Sequence, residues 1–314
     1  MPDCSFCGRE SVYFQRTAGV HRCDRCLEDY VKKKFRRTVS QEKLVEPGDL
    51  VVVAVSGGTD SMTALKLLHE HSQHKEFEVK AITIDEGIEA YRDESLPLAR
   101  SFTQNLGVEH LVISFDDVFG ATLDELSNIS RGRGGPDICT ICGIFRRSLL
   151  NQSAREMGAD KIAIGHNLDD VVQTVMLNYL RGDLSRLQRL RPKSRGKEGF
   201  VPRIKPLRVL SEKEIAIYAM LKDFAVHIDE CPHVGGMRSE VRNFINKMEE
   251  NHPTTKFRIL RTFEKIRPHL PNGSAKIQLG KCEICGEPTS NTLCRSCSIL
   301  DELGLEREKK TLIS

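Results

Sequence analysis

The chain has 314 residues, 39% of them apolar and 29% charged, with a formal net charge of +3. That length suits one large α/β domain with small appendages, and so even a charge balance does not by itself announce a nucleic-acid partner. No apolar run approaches the roughly 20 residues a membrane helix needs. The start, Met-Pro-Asp-Cys, lacks the basic flank and apolar stretch of a secretory signal, so a cytoplasmic protein without membrane attachment is expected.

The first element in chain order is a pair of knuckles, Cys4-x2-Cys7 and Cys23-x2-Cys26. Two residues between thiols let both sulfurs converge on one tetrahedral ion, so residues 1–30 are read as a structural zinc ribbon on Cys4, Cys7, Cys23 and Cys26. His21 is read as a neighbour of this site, not a ligand. A basic stretch, Lys32 to Arg37, falls within 31–48 and predicts an exposed linker helix. From there to residue 230 the pattern alternates. Leu50 to Val55 is a continuous, β-branched apolar run of the kind that forms a buried parallel strand. Strands follow over 79–85, 108–115 and 161–165, with helices over 59–71, 94–106, 144–157 and 168–180. This alternation predicts right-handed crossovers and a doubly wound parallel sheet.

The segment 181–208 breaks the alternation. It carries ten basic residues against Asp183 and Glu198, a local net charge of +8, and its Pro and Gly content reads as a mobile loop. Ser211 to Glu214 has the pattern of a capping box opening the next helix. A helical extension is expected over 231–271. Residues 272–314 close the chain with a second zinc ribbon on Cys282, Cys285, Cys294 and Cys297.

Ser56-Gly57-Gly58-Thr59-Asp60-Ser61 sits between the first core strand and its helix. It is neither a Walker motif nor a dinucleotide fingerprint. It is nonetheless an anion cradle, with backbone N–H groups freed by Gly57 and Gly58, a helix N-terminus behind them, and the hydroxyls of Ser56 and Ser61 as donors. Asp60 cannot bind phosphate directly, so it is expected to hold the loop or Mg²⁺. Three cysteines lie outside the ribbons: Cys139, Cys142 and Cys231. The residues themselves leave three readings open: inert buried thiols, a persulfide relay, or a 4Fe-4S cluster with one iron lacking a protein ligand.

On Ser56 to Ser61, on Gly165-His166-Asn167-Leu168-Asp169-Asp170, and on Cys139-x2-Cys142 with Arg146-Arg147 and Cys231-Pro232, the chain resembles the tRNA 2-thiouridine synthetases. These belong to the N-type ATP pyrophosphatases, or PP-loop proteins. The resemblance covers nearly the full length, both ribbons included. It implies an adenine nucleotide alpha hydrolase-like fold with residues 49–230 as catalytic domain. ATP is then bound by Ser56, Gly57, Gly58, Asp60, Ser61, Gly165, Asp169 and Asp170, and a 4Fe-4S cluster by Cys139, Cys142 and Cys231. The implied activity is ATP-dependent tRNA sulfurtransfer: adenylation of a uridine C2 oxygen, then its replacement by sulfur. Cys139, Cys142, Cys231, Asp60 and Arg146 are the catalytic candidates. Many relatives carry lysine where Arg146 stands. The sulfur donor is expected to be sulfide or a ubiquitin-like carrier protein, and the assembly a homodimer. Arg186, Arg189, Arg191, Lys193, Arg195 and Lys197 are expected to contact tRNA phosphates. A different PP-loop ligase, such as one amidating a carboxylate with ammonia, is the alternative, but it has no need of three core cysteines.

Overall fold

The structure is a computed structural model and describes residues 2–194, 196, 198–233, 235–271, 279–307 and 312. The N-terminal module is a small hairpin, β1 (Tyr13–Gln15) and β2 (Val20–Arg22), running into helix α1 (Asp24–Gln41). Cys23 is the N-cap of α1, its Sγ accepting from the Cys26 N–H, so the second knuckle and the helix start are one structure. The basic stretch is therefore not a linker. Leu27, Val31, Phe35 and Val39 recur at helical spacing and are buried in the main core, while Lys33, Arg36 and Arg37 lie exposed on the other side. Tyr30, Gln15 and Lys34 all reach the buried Glu214 carboxylate, tying the module to the core.

The core alternates β3 (Leu50–Ala54), α2 (Thr59–Ser72), β4 (Glu78–Asp85), α3 (Tyr91–Leu106), β5 (His110–Ser114), α4 (Phe115–Phe119), α5 (Leu123–Gly132), α6 (Ile138–Glu156), β6 (Lys161–Ala163), α7 (Leu168–Leu180), α8 (Leu184–Arg189) and β7 (Arg203–Ile204). The sheet is parallel throughout, in the order β5-β4-β3-β6-β7. Val51, Val52 and Val53 of β3 are fully buried, as a central strand covered on both faces requires. The chain builds outward from β3 through β4 to β5, then crosses back to place β6 on the other side of β3. That reversal opens a crevice beyond the carboxyl ends of β3 and β6, where open α/β sheets bind ligands.

Two expectations change here. The segment 181–208 is not a structureless loop among the described residues: it contains α8 and the edge strand β7, whose Ile204 is fully buried. Two paired residues among so many charges carry no period for a sequence to display. Helix α6 starts at Ile138, not 144, capped by Asp137, which accepts from the Cys139 N–H (3.0 Å). Cys139 and Cys142 therefore lie one turn apart on one helix face.

The remaining helices are α9 (Glu212–Leu221), α10 (Met237–Asn251) and α11 (Thr255–Ile266), the last two packing on α7. The capping box at Ser211 and Glu214 is formed. The C-terminal ribbon adds β8 (Gly280–Lys281), β9 (Pro288–Thr289) and α12 (Arg295–Glu302). Ile299, Leu300 and Leu303 bury themselves in the core cluster that also holds Leu149 and Leu150 of α6. Glu287 pairs with Arg155 and accepts from Asn151 (3.1 Å), and Arg307 donates to Gln152 (2.7 Å). The ribbon thus braces the helix that carries Cys139 and Cys142.

Candidate active site

The loop after β3 is held from three sides. Gly57 has φ +85°, and a Cβ there would stand 2.3 Å from the Ser95 carbonyl oxygen, so only glycine fits between the loop and α3. Its own carbonyl accepts from the His227 N–H (3.0 Å). Ser61 Oγ accepts from the Ser56 N–H (3.0 Å) and donates to the Gly58 carbonyl (3.0 Å). Ser61 therefore shapes the loop, while Ser56 Oγ stands beside it at 3.1 Å. Helix α2 opens at Gly58 with no side chain capping it, which leaves its N-terminal N–H groups to an anion.

Above the loop lies a cavity of about 390 Å³ at the crevice of the sheet. Ser56, Gly58, Asp60 and Ser61 form its floor, Gly165, His166 and Asp170 one flank, and Ile82, Ile84 and Leu150 an apolar wall. Arg92, Arg146, Arg147 and Arg203 complete it. Apolar side chains for a base and four guanidiniums beside an anion loop suit a nucleoside triphosphate. A Cβ on Gly165 would stand 2.8 Å from the Ser61 backbone nitrogen, so this glycine lets the end of β6 meet the loop.

Asp60 is enclosed, and its Oδ1 has no hydrogen-bond partner. Burial, and then the charge of Asp170, push its pKa up to about 7. A buried carboxylate oxygen without a partner, close to a second carboxylate, fits a site for Mg²⁺. Asp170 lines the cavity and closes a capping box with Asn167, while Asp169 does not line it. Asp169 is buried, paired with Lys256 and accepting from the Glu212 N–H (3.0 Å), which makes it a structural brace between α7, α9 and α11. His166 opens onto the cavity. Lost hydration in the cavity wall, reinforced by Lys205, Arg238 and Arg146 against the pull of Asp170, lowers its pKa.

Because the folded protein holds the Asp60 proton longer than the unfolded chain does, Asp60 destabilises the fold progressively between about pH 4 and about pH 7, and fully above that. Asp60→Asn is therefore expected to raise the Tm of the nucleotide-free protein at about pH 8 and to leave it unchanged near pH 4. Thermal denaturation across pH checks the sign; a Tm change independent of pH would contradict it.

Glu86, one residue beyond β4, is almost fully buried and holds two arginines of the cavity. It pairs with Arg92 and lies 3.3 Å from Arg146 Nη1. Arg92 in turn donates to the Ser56 carbonyl (3.0 Å), joining this ion pair to the loop. Arg146 follows Cys142 by one helical turn and stands between the cysteines and the phosphate loop. Cys142 and Cys231 both pack on the core cluster that includes Ile141 and Phe145, and Cys139 Sγ donates to the His233 carbonyl (3.1 Å). Burial raises the Cys142 pKa to about 11, with Arg146 opposing and the charges of Cys231 and Cys139 adding. Cys231 comes four residues after His227, so a short stretch of chain links the Gly57 loop to the third cysteine.

Comparison with known proteins agrees with this geometry. Residues 27–249 match the PP-loop domain family. A relative named tRNA 2-thiolation protein NcsA, from Haloferax volcanii, is 34% identical over 96% of this chain and 99% of its own length. Cytoplasmic tRNA 2-thiolation protein 1 of rice (Oryza sativa) is 33% identical over 96% of this chain and 82% of its own. The solved structure of the U34-tRNA thiolase NcsA from Methanococcus maripaludis, with its 4Fe-4S cluster, superposes with a TM-score of 0.84. It shares 34% identity, and 99% of each chain is covered. The chain is a PP-loop protein of the tRNA 2-thiolation family.

Seen as a PP-loop thiolation protein, its cysteines divide into two kinds. The four sulfurs of each terminal quartet lie within 4.8 Å of one another, with Cys7 and Cys23 at 3.4 Å and Cys285 and Cys294 at 3.5 Å. Four thiolates bonded at about 2.3 Å to one zinc stand about 3.8 Å apart, so both quartets fit that ion closely. His21 stacks on Phe14 and takes no part. The sulfurs of Cys139, Cys142 and Cys231 do not converge in this way. They therefore form no third site of the zinc kind, while three thiols are a donor set that an iron-sulfur group takes. Cys297→Ser is expected to release the second zinc and lower the Tm by at least about 5 °C, because metal binding there is folding energy. Metal analysis with calorimetry checks both.

The residues expected to contact RNA phosphates lie in different surroundings. Arg186 and Arg189 sit on α8 and line a smaller hollow, not the nucleotide cavity itself. Lys193 is engaged by Glu46 (2.8 Å), and Arg191 has a partner of its own. Arg195 and Lys197 lie outside the described residues. Glu86, Arg92 and Arg203 were not expected in the site. Only the position of Glu86 beyond the carboxyl end of a parallel strand could have signalled it.

Proposed function

We propose that the chain is an ATP-dependent tRNA-uridine 2-sulfurtransferase that adenylates the C2 oxygen of a tRNA uridine and exchanges it for sulfur. The observation that carries this reading is Arg146: it lines the cavity of the phosphate loop and stands one helical turn after Cys142 on the helix that also carries Cys139. A uridine C2 carbonyl does not yield oxide as a leaving group. Transfer of AMP from ATP to that oxygen makes it a phosphate leaving group and releases pyrophosphate, which Gly57, Gly58 and the start of α2 are built to hold. Ser56 donates to a phosphate oxygen, and Asp60 with Asp170 holds Mg²⁺ against it. Arg92 and Arg146, fixed by Glu86, neutralise charge growing on the α-phosphate. His166, on the flank of the cavity, offers the nucleotide a hydrogen-bonding group. A 4Fe-4S cluster on Cys139, Cys142 and Cys231, with one iron free of protein ligands, would supply a place for sulfide beside the activated carbon. Sulfur then replaces oxygen at C2 and AMP departs.

The reading includes residues 49–230 as the catalytic unit, the two zinc ribbons as braces and tRNA-facing surfaces, a cytoplasmic setting and a homodimer. Sulfide or a ubiquitin-like carrier protein supplies the sulfur. The test is anaerobic incubation of the iron-loaded protein with ATP, sulfide and unmodified tRNA. Pyrophosphate release that depends on tRNA, together with 2-thiouridine in the digested RNA, supports it. Pyrophosphate release driven instead by ammonia and a carboxylic acid would favour the amidating ligase.

A further inference from the structure

A second cavity, of about 300 Å³, opens on one face of α7. Asn178 of α7 and Arg181, its C-cap, line it with Arg186 and Arg189 of α8 and Arg238 of α10. No carboxylate lines it. Arg186 spends its Nε on Asp183 (3.1 Å) and Arg189 its Nε on the Ser185 carbonyl (3.0 Å). Among the described residues, neither Arg181 nor Arg238 has a carboxylate partner. Four guanidiniums around one small hollow repel each other, and that arrangement is stable only with an anion or solvent between them.

The hollow also adjoins the nucleotide cavity. Thr174 lines the hollow and donates to the carbonyl of Asp170 (2.7 Å), one turn earlier on α7, which lines the nucleotide cavity; Arg238 and Arg186 lie near enough to His166 and Arg147 for their charges to act on them. His166 and Arg147 both line the nucleotide cavity. The positive surface therefore continues from Arg181 and Arg189, through Arg186 and Arg238, to the place where the uridine must lie. ATP occupies the inner cavity in the proposed reaction, so the outer arginines face a different anion.

We infer that Arg181, Arg186, Arg189 and Arg238 form a phosphodiester clamp for the tRNA strand next to the target uridine. Resting on the thiolation reading, this clamp places the strand by its backbone, and the base reaches C2 chemistry because the neighbouring phosphates are fixed. Contacts to phosphodiesters carry no sequence information, so the clamp fixes the position and register of the strand. Arg238 comes from the helical extension and the other three from the segment after α7, so the clamp closes only when the two pack together.

The test uses the full-length protein, its zinc content and Tm confirming the fold, and measures tRNA affinity across a salt series. In an Arg181→Gln/Arg238→Gln double variant, tRNA affinity is expected to fall at least about 10-fold at physiological salt. The slope of log affinity against log salt is expected to shrink by about 1.4, at about 0.7 per single-strand phosphate lost. Arg181→Lys/Arg238→Lys should recover most of the slope, because charge sets it. Affinity and slope equal to the parent protein's would overturn the clamp. Parent protein that binds no tRNA at all would overturn the thiolation reading itself, a result visible before any variant is made.

Discussion

Replacing Cys142 with serine is expected to lower 2-thiouridine formation by at least about 10³-fold, equivalent to roughly 4 kcal/mol of barrier. The thiol lies on α6 one turn before Arg146, outside the cavity that takes ATP, so ATP affinity should stay within about two-fold of the parent protein. Serine is close in size but gives iron no thiolate, so iron content should fall while both zinc quartets stay loaded. Anaerobic purification, metal quantitation and nucleoside analysis of the product tRNA check all three. Thiolation at the parent rate would remove the cluster and the persulfide relay together. Loss of thiolation with iron fully retained would instead favour the relay.

Glu86→Ala is expected to have the largest effect on stability. Glu86 and Arg92 are both buried, and removing the carboxylate strands the Arg92 guanidinium without its partner. Breaking a buried pair from one side costs about 3–5 kcal/mol. Arg146, the second partner, is half-exposed and adds little to that figure. Its effect is on chemistry: freed from Glu86, it no longer points a fixed charge into the cavity. The variant should therefore lose roughly 10 °C of Tm and, at temperatures where it is folded, release pyrophosphate more slowly. Glu86→Gln keeps one acceptor for Arg92 and should lie between the two. A Tm equal to the parent's would show that the pair is not a support of the site.

The fold was legible wherever burial left a period in the sequence. The run Leu50 to Val55 and the glycines after it placed the central strand and its anion loop, and α7 spans residues 168–180 as read. Spacing was misleading where charge hides an apolar stripe: in α1, lysines and arginines alternate with Val31, Phe35 and Val39, which are buried. It was silent at β7, because two paired residues have no periodicity, and at the start of α6, where two cysteines and a glycine do not advertise a helix.

The site divides along the same line. Groups that act through the backbone or through local spacing, such as Gly57, Gly58 and the knuckles, could be named from sequence. Groups whose role depends on a distant partner could not. Asp169 and Asp170 are adjacent and chemically identical, yet Lys256 and the Glu212 N–H claim the first while the second lines the cavity. Lys193, expected to face RNA phosphates, is paired with Glu46 from a distant part of the chain, which its own surroundings in sequence could not show. Glu86, Arg92 and Arg238 gain their meaning from elements far apart in the chain.

The central claim is that the uridine C2 oxygen is activated by AMP before sulfur enters. Heavy oxygen placed at C2 of the target uridine tests it in one turnover with ATP and sulfide. The label should be recovered in the phosphate of the released AMP, in equal measure to the 2-thiouridine formed. Label released into water, with unlabelled AMP, would contradict the account.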